Sequence, residues 1–184
     1  PLSKEELQST LEKILAHWQI RNFDFHSRGK HVQRWVGPSE ASQKILKQIS
    51  QIKGERKSLL IEGETGTGKD VLASLIHNQE SERPFVAVNS SSIPENLFES
   101  EMFGHVKGAF TGADSHKMGL VEAAHGGDLF LDEIEAMPLS FQAKLLRFLS
   151  SGEIRRVGGK DNIRVQVRTI AASNRSLLDM IKKG

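Results

Sequence analysis

The chain contains no cysteine, no apolar run approaching the length of a membrane span, and very little net charge. Without cysteine there is neither a disulfide scaffold nor a thiolate zinc site, and the expected setting is a reducing cytoplasm. Without a long apolar run or a signal-peptide pattern, no membrane partner is expected. Lys plus Arg number 25 against 23 Asp plus Glu. That balance argues against a dedicated nucleic-acid binder, which concentrates basic side chains on one face. The histidines at 17, 26, 31, 77, 105, 116 and 125 show no HxxxH or HxH pairing, so they are not expected to hold a metal. Repeats and low-complexity tracts are also missing. What remains is an ordinary globular composition. The 184 residues are 38% hydrophobic and 26% charged, enough for one domain with a sizeable core and a short appendage.

Ser3 and Glu6 read as a capping box, followed by Leu7, Leu11, Ile14, Leu15 and Trp18 on one helical stripe. Residues 1–18 are therefore expected to carry an amphipathic helix over 4–18, and the polar stretch 19–34 to be a linker. The main domain is expected over 35–184. Ser39 caps a helix whose Ile45, Leu46, Ile49 and Ile52 form the buried face, with Gly54 near its end. Strands are expected at 58–61, 85–88, 128–131 and 165–172, with helices between them, notably 69–79 and 139–149. Strands alternating with helices imply an α/β fold with a mostly parallel sheet and flanking helices.

Gly63-Glu64-Thr65-Gly66-Thr67-Gly68-Lys69 fits the first seven positions of a phosphate-binding loop, with a strand before it and a helix after it. Glycines let successive backbone amides turn inward around a phosphate, and the helix start adds its positive dipole end. Lys69 can reach the β and γ phosphates. Asp70 stands at the eighth position, where Ser or Thr normally holds Mg²⁺. ATP with Mg²⁺ is the expected ligand.

Leu129-Phe130-Leu131-Asp132-Glu133 is a hydrophobic strand ending in two carboxylates, the Walker B arrangement. Such neighbours can divide the work. Asp132 would hold Mg²⁺ and Glu133 would orient and deprotonate the attacking water. An Asp-Glu pair is common by itself. Downstream of a phosphate loop and an apolar strand, it points to ATP hydrolysis.

Gly108-Ala109-Phe110-Thr111-Gly112-Ala113, preceded by Glu101-Met102-Phe103-Gly104-His105-Val106-Lys107, resembles the signature of sigma-54-dependent transcription activators. These are the NtrC-like bacterial enhancer-binding proteins, whose central domain is an AAA+ ATPase. The match runs from about residue 35 to 184. It continues through Trp35-Val36-Gly37-Pro38-Ser39, Phe85-Val86-Ala87-Val88-Asn89, Leu145-Leu146-Arg147, Gly152-Glu153, Arg156-Val157-Gly158-Gly159 and Ile170-Ala171-Ala172-Ser173-Asn174-Arg175.

The resemblance implies specific roles. Phe110, Thr111 and Gly112 would form the tip of a mobile loop that touches the sigma factor, and Arg156 and Val157, in a second loop, would also bind the partner. Asn89 would contact Glu133 and couple γ-phosphate state to the loop. Asn174 would sense the γ-phosphate, and Val36 and Gly37 would line the adenine pocket. An acidic residue at Asp70 is usual in the family. Asp128 stands where members carry Thr or Ser, adding negative charge just before the acidic strand, and Ser90 where many carry Cys.

The implied function is remodelling of the sigma-54 RNA polymerase closed complex by an ATPase that self-associates into a hexameric or heptameric ring. DNA would be bound through a domain absent from this chain. Residues 1–18 resemble the last helix of a receiver domain, as in a two-component response regulator. The family's trans-acting arginines and helical lid follow the segment that ends at Gly184. The chain by itself is therefore expected to be a very weak ATPase, unless Arg168 or Arg175 serves instead. The alternative is a nucleotide-binding interaction module without appreciable hydrolysis, against which Glu133 and Asn89 both stand.

Overall fold

The computed structural model describes residues 39–52, 55–77 and 83–183. The helix expected over 4–18, the linker at 19–34, Val36, Gly37, Gly54 and the stretch from residue 78 to Gln79 lie outside the described residues.

The first described helix, α1 (Glu40–Ile52), starts where expected. Ser39 Oγ accepts the Ser42 N–H at 3.2 Å, and the Ser39 carbonyl accepts from Gln43. Ile45, Ile49 and Ile52 lie at i, i+4 and i+7, and this stripe packs on Ile76 and Leu72. Leu46 does not join them. It is 39% exposed, because one residue past Ile45 turns the side chain about 100° away from the stripe.

Four parallel strands form the sheet: β1 (Leu59–Glu62), β2 (Phe85–Asn89), β5 (Asp128–Asp132) and β8 (Arg168–Ser173), in the order β1-β8-β5-β2. Between them run α2 (Lys69–His77), α3 (Glu95–Phe103), α4 (Leu120–Ala123) and α5 (Leu139–Ser151). Two short antiparallel pairs complete the unit: β3 (Gly104–His105) with β4 (Lys117–Met118), and β6 (Glu153–Ile154) with β7 (Ile163–Arg164). The chain closes on α6 (Leu177–Lys183). Strand β8 starts three residues later than the apolar pattern suggests. Val165 is buried, but its N–H donates to the Gly152 carbonyl rather than to the central sheet.

The alternation of strand side chains builds two cores. Leu129 and Leu131 face Phe98, Met102, Phe141, Leu145 and Phe148, supplied by α3 and α5. Phe130, Leu59, Ile61, Ile170 and Ala172 face the opposite side, against α1 and α2. A buried strand with apolar residues on both faces is what a parallel sheet covered by helices requires.

The register brings the functional segments to one edge. Glu62 pairs with Ser173, and Asn89 with Asp132. The phosphate loop, the acidic pair and residue 174 therefore all leave the carboxyl ends of parallel strands, where such sheets bind ligands.

Candidate nucleotide site and the exposed loop

The loop between β1 and α2 has Gly66 at φ 83° and Gly68 at φ 89°, left-handed backbone that only glycine adopts without cost. Its start is tied to the neighbouring strand end, since the Gly63 N–H donates to the Ser173 carbonyl at 3.1 Å. Glu64, Thr65 and Gly66 are exposed, and Thr67 Oγ1 donates to the Glu64 carbonyl.

Lys69 is only 2% exposed. Its Nζ donates to the carbonyls of Gly63 and Glu64 at 2.9 and 3.1 Å, arching back over the loop it follows. Asp70, at the first turn of α2, is buried and accepts the Val71 N–H at 2.9 Å.

At the tip of β5, Asp132 Oδ1 accepts the Glu133 N–H at 2.9 Å. Burial pushes the Asp132 carboxyl above the usual carboxylate range. The Glu133 amide and the Lys69 charge oppose that shift, while the charges of Glu133 and Glu135 add to it. Asp132 thus feels both the phosphate-loop lysine and the carboxylates of its own turn. Glu133 has φ 51° and ψ 48°, and among the described residues it is the non-glycine at positive φ. That geometry turns the chain sharply out of the strand.

Asn89 ends β2, and Asn174 follows the last residue of β8. Asn89 Oδ1 accepts from the Ser91 N–H at 2.9 Å and the Ser91 hydroxyl at 2.7 Å, which caps the 3₁₀ turn Ser90–Ser92. That oxygen is spent on the turn, and no hydrogen bond joins Asn89 to Glu133 among the described residues. The Asn174 N–H donates to Glu135 Oε1 at 3.1 Å.

Arg168 is not available to a transferring phosphate. It lies at the opposite, amino-terminal edge of the sheet, 2% exposed, with its guanidinium on Asp128. Asp128 is itself fully buried there, at the far end of β5 from Asp132, so its charge is neutralised well away from the nucleotide edge. Arg175 is exposed just beyond β8.

A second group of residues stands apart. The hexapeptide 108–113 closes as a tight turn, with the Gly108 N–H on the Ala113 carbonyl at 2.8 Å and the Ala113 N–H on the Phe110 carbonyl at 3.1 Å. Thr111 and Gly112 are exposed, and Phe110 is 39% exposed, its ring edge-on to His105 at 5.0 Å. Ser100 Oγ and His105 Nδ1 lie 2.7 Å apart beneath it.

Arg156 and Val157 support this loop from below. Arg156 forks onto Glu122, with Nη2 at 2.8 and 2.9 Å from the two carboxylate oxygens. The Val157 N–H donates to the Gly104 carbonyl at 2.9 Å, and its carbonyl accepts from Val106 at 3.1 Å. The two loops therefore form one hydrogen-bonded unit.

Sequence reasoning did not find Glu62, Glu122 or Glu135. The last two carry no motif of their own, and the Arg156–Glu122 partnership spans 34 positions. A cleft of 490 Å³ beside the second loop, lined by Glu99, Lys144, Arg147 and Glu153 among others, contains none of the phosphate-loop or strand-tip residues. Among the described residues, no group of three or more His, Cys, Asp or Glu is arranged to hold a metal, and no helix is long and apolar enough to cross a membrane.

A model of the family described as the Sigma-54 interaction domain matches residues 35–184. Transcriptional regulator VasH of Vibrio cholerae is 49% identical over 150 residues, covering 80% of this chain and 28% of that protein. Regulatory protein AtoC of Escherichia coli is 49% identical over 191 residues, covering 100% of this chain and 41% of its own length. The crystal structure of NtrX from Brucella abortus in complex with ATP superposes with a TM-score of 0.73 at 35% identity, covering 82% of this chain and 33% of that one. The chain thus spans less than half the length of these relatives.

Proposed function

Because this chain belongs to the Sigma-54 interaction domain family, we propose that it is the ATP-binding and ATP-hydrolysing module of a regulator that remodels sigma-54 RNA polymerase to activate transcription. The observation that carries this reading is the shared sheet edge. The phosphate loop, with Gly66 and Gly68 at positive φ, and the Asp132–Glu133 pair emerge together, while Phe110 is displayed elsewhere. The solved relative NtrX, in complex with ATP, supports the choice of nucleotide.

The residues present fit ATP with Mg²⁺. Amides of residues 63–68 and the start of α2 cradle the phosphates, and Lys69 exchanges its two loop carbonyls for phosphate oxygens. Asp132 holds Mg²⁺, its Oδ1 anchored by the Glu133 amide. When bound, the ion neutralises charge on the phosphate oxygens. Glu133, turned out of β5, orients the attacking water and takes its proton. Asn174 senses the terminal phosphate. Asn89, its oxygen held by Ser91, couples that state to the loop through its side-chain Nδ2, the donor that a Glu133 carboxylate can accept from. Val36 and Gly37 line the adenine pocket.

Phe110, Thr111 and Gly112 make the contact with sigma-54, supported by Arg156 and Val157. In the intact protein, subunits associate into a hexameric or heptameric cytoplasmic ring, with DNA bound through a further domain and residues 1–18 ending a receiver domain. An arginine on the transferring phosphoryl group is worth about a thousandfold in comparable enzymes, and Arg168, committed to Asp128, does not supply it.

The test compares intact wild-type protein with Glu133→Gln. The variant should keep ATP affinity while losing about two or more orders of magnitude in turnover, and promoter opening with it. Near-normal turnover would assign the water to another residue and end this reading of the acidic pair.

A further inference from the structure

Two backbone amides in the segment leaving β8 end on carboxylates. Asn174 donates to Glu135 Oε1 at 3.1 Å, and Leu177 donates to Glu62 Oε1 at 2.9 Å. Glu62 closes β1 immediately before the phosphate loop. Glu135 lies in the 3₁₀ turn Ile134–Ala136, immediately after Asp132 and Glu133. Between the two anchors, Ser173 Oγ donates to the Arg175 carbonyl at 2.9 Å and accepts the Arg175 N–H at 3.1 Å.

Residues 173–177 are therefore held at both ends and in the middle. The turn and the segment also share an apolar floor, where Ile134 packs against Leu60, Ala171 and Leu177. Hydrogen bonds to an ionised acceptor are roughly twice as strong as neutral ones, so a carboxylate is a firm anchor for a backbone amide.

Glu135 has a feature that packing alone does not explain. Its second oxygen, Oε2, is buried and accepts no hydrogen bond from the protein's own atoms. Burying a carboxylate oxygen that way costs stability. The side chain is also close enough for its charge to be felt at Asp132. One turn thus carries the metal-holding carboxylate, the water-activating carboxylate and the anchor of the neighbouring strand end.

We propose that Glu135 is a positioning residue: by holding the Asn174 amide it aims the Asn174 side chain at the terminal phosphate of the bound nucleotide. The inference rests on the reading of Asn174 given above. Glu135 acts through Asn174, and Glu62 fixes the far end of the same segment.

The experiment uses the intact protein with Glu135→Gln, Glu135→Asp, Glu135→Ala, Asn174→Ala and the double variant Glu135→Ala/Asn174→Ala. It measures steady-state ATP turnover, ADP affinity and the affinity of a non-hydrolysable ATP analogue. Glutamine keeps an acceptor at the same reach and should hold turnover within about threefold of wild type. Aspartate is one methylene shorter and misses the amide. Like alanine, it should lower kcat about tenfold or more with ADP affinity unchanged. The double variant should be no slower than Asn174→Ala, as expected for two residues acting in series.

A purely structural role would lower the unfolding temperature of the Asp and Ala variants and leave kcat and the preference for the ATP analogue over ADP at wild-type values. That result overturns the proposal. Glutamine as slow as alanine overturns it too, since charge rather than the hydrogen bond would then be in control. If the alanine variant fails to fold, the Gln and Asp pair still decides. Slow Asn174→Ala with normal Glu135→Asp overturns the Glu135 inference alone. Normal Asn174→Ala overturns both it and the sensor reading.

Discussion

Arg168 and Asp128 meet side by side on neighbouring parallel strands, Nε to Oδ1 at 2.8 Å and Nη2 to Oδ2 at 2.6 Å, wholly inside the protein. His77 Nδ1 adds a third bond to Oδ2 at 2.6 Å, and Arg168 reaches on to the carbonyls of Glu55 and Ile76. This network ties α2, the helix that follows the phosphate loop, to the two central strands. It does so at the edge remote from the nucleotide.

Burial pushes the Asp128 carboxyl up, but the hydrogen bonds from His77 and Arg168, with the Arg168 charge, outweigh that and hold it below its ordinary value. A carboxylate with a depressed folded pKa contributes stability that is present above its unfolded pKa of about 3.9. That contribution is lost as the pH falls through the lower, folded value. Asp128→Asn strands a buried guanidinium and should cost about 3–5 kcal/mol at neutral pH in urea unfolding. The deficit should shrink only below about pH 4, where the wild type loses the same contribution. A variant as stable as wild type at pH 7 would show that the pair is dispensable.

Glu133 offers a second stability measurement with the opposite sign for glycine. In regular structure, glycine is less stable than alanine by about 0.5–1 kcal/mol. At φ 51° the order should reverse, with Glu133→Gly more stable than Glu133→Ala by about 1 kcal/mol. Both variants should lose ATP turnover. Equal stability, or alanine ahead, would mean that the turn is not held in the left-handed region in solution.

The two loops should respond together. A Cβ on Gly158, which sits at φ 73°, would lie 2.8 Å from the Ala109 Cβ and 3.2 Å from Val106 Cγ2. Gly158→Ala should therefore loosen the 106–116 loop and speed tryptic cleavage at Lys107, while ATP affinity stays at the wild-type value. Unchanged cleavage would separate the loops.

What was legible in the sequence followed from local pattern. The phosphate loop, the acidic strand and the hexapeptide are contiguous, and the alternation of Leu129, Phe130 and Leu131 specified a strand buried on both faces. The Ser39 cap was equally local. Long-range partnerships were not legible. Asp128 read as a stray charge beside the nucleotide strand because nothing in the sequence pairs it with Arg168, 40 positions away. Helix α3 escaped notice because apolar and polar side chains are mixed around it, with Leu97 exposed while Phe98 and Met102 are buried. The hold of Ser91 on the Asn89 oxygen was not read either, although it is only two positions away.

The central claim is that one chain carries a motor and a separate contact element, and Phe110→Ala in the intact protein tests it most directly. Phe110 is exposed, and its ring rests edge-on against His105. ATP turnover and open-complex formation at a sigma-54 promoter should be measured on one preparation. The account predicts turnover within about twofold of wild type, with promoter opening reduced more than about tenfold, the loss expected for removing an aromatic interface anchor worth roughly 2 kcal/mol. Normal promoter opening by Phe110→Ala, or loss of turnover together with unfolding, would contradict it.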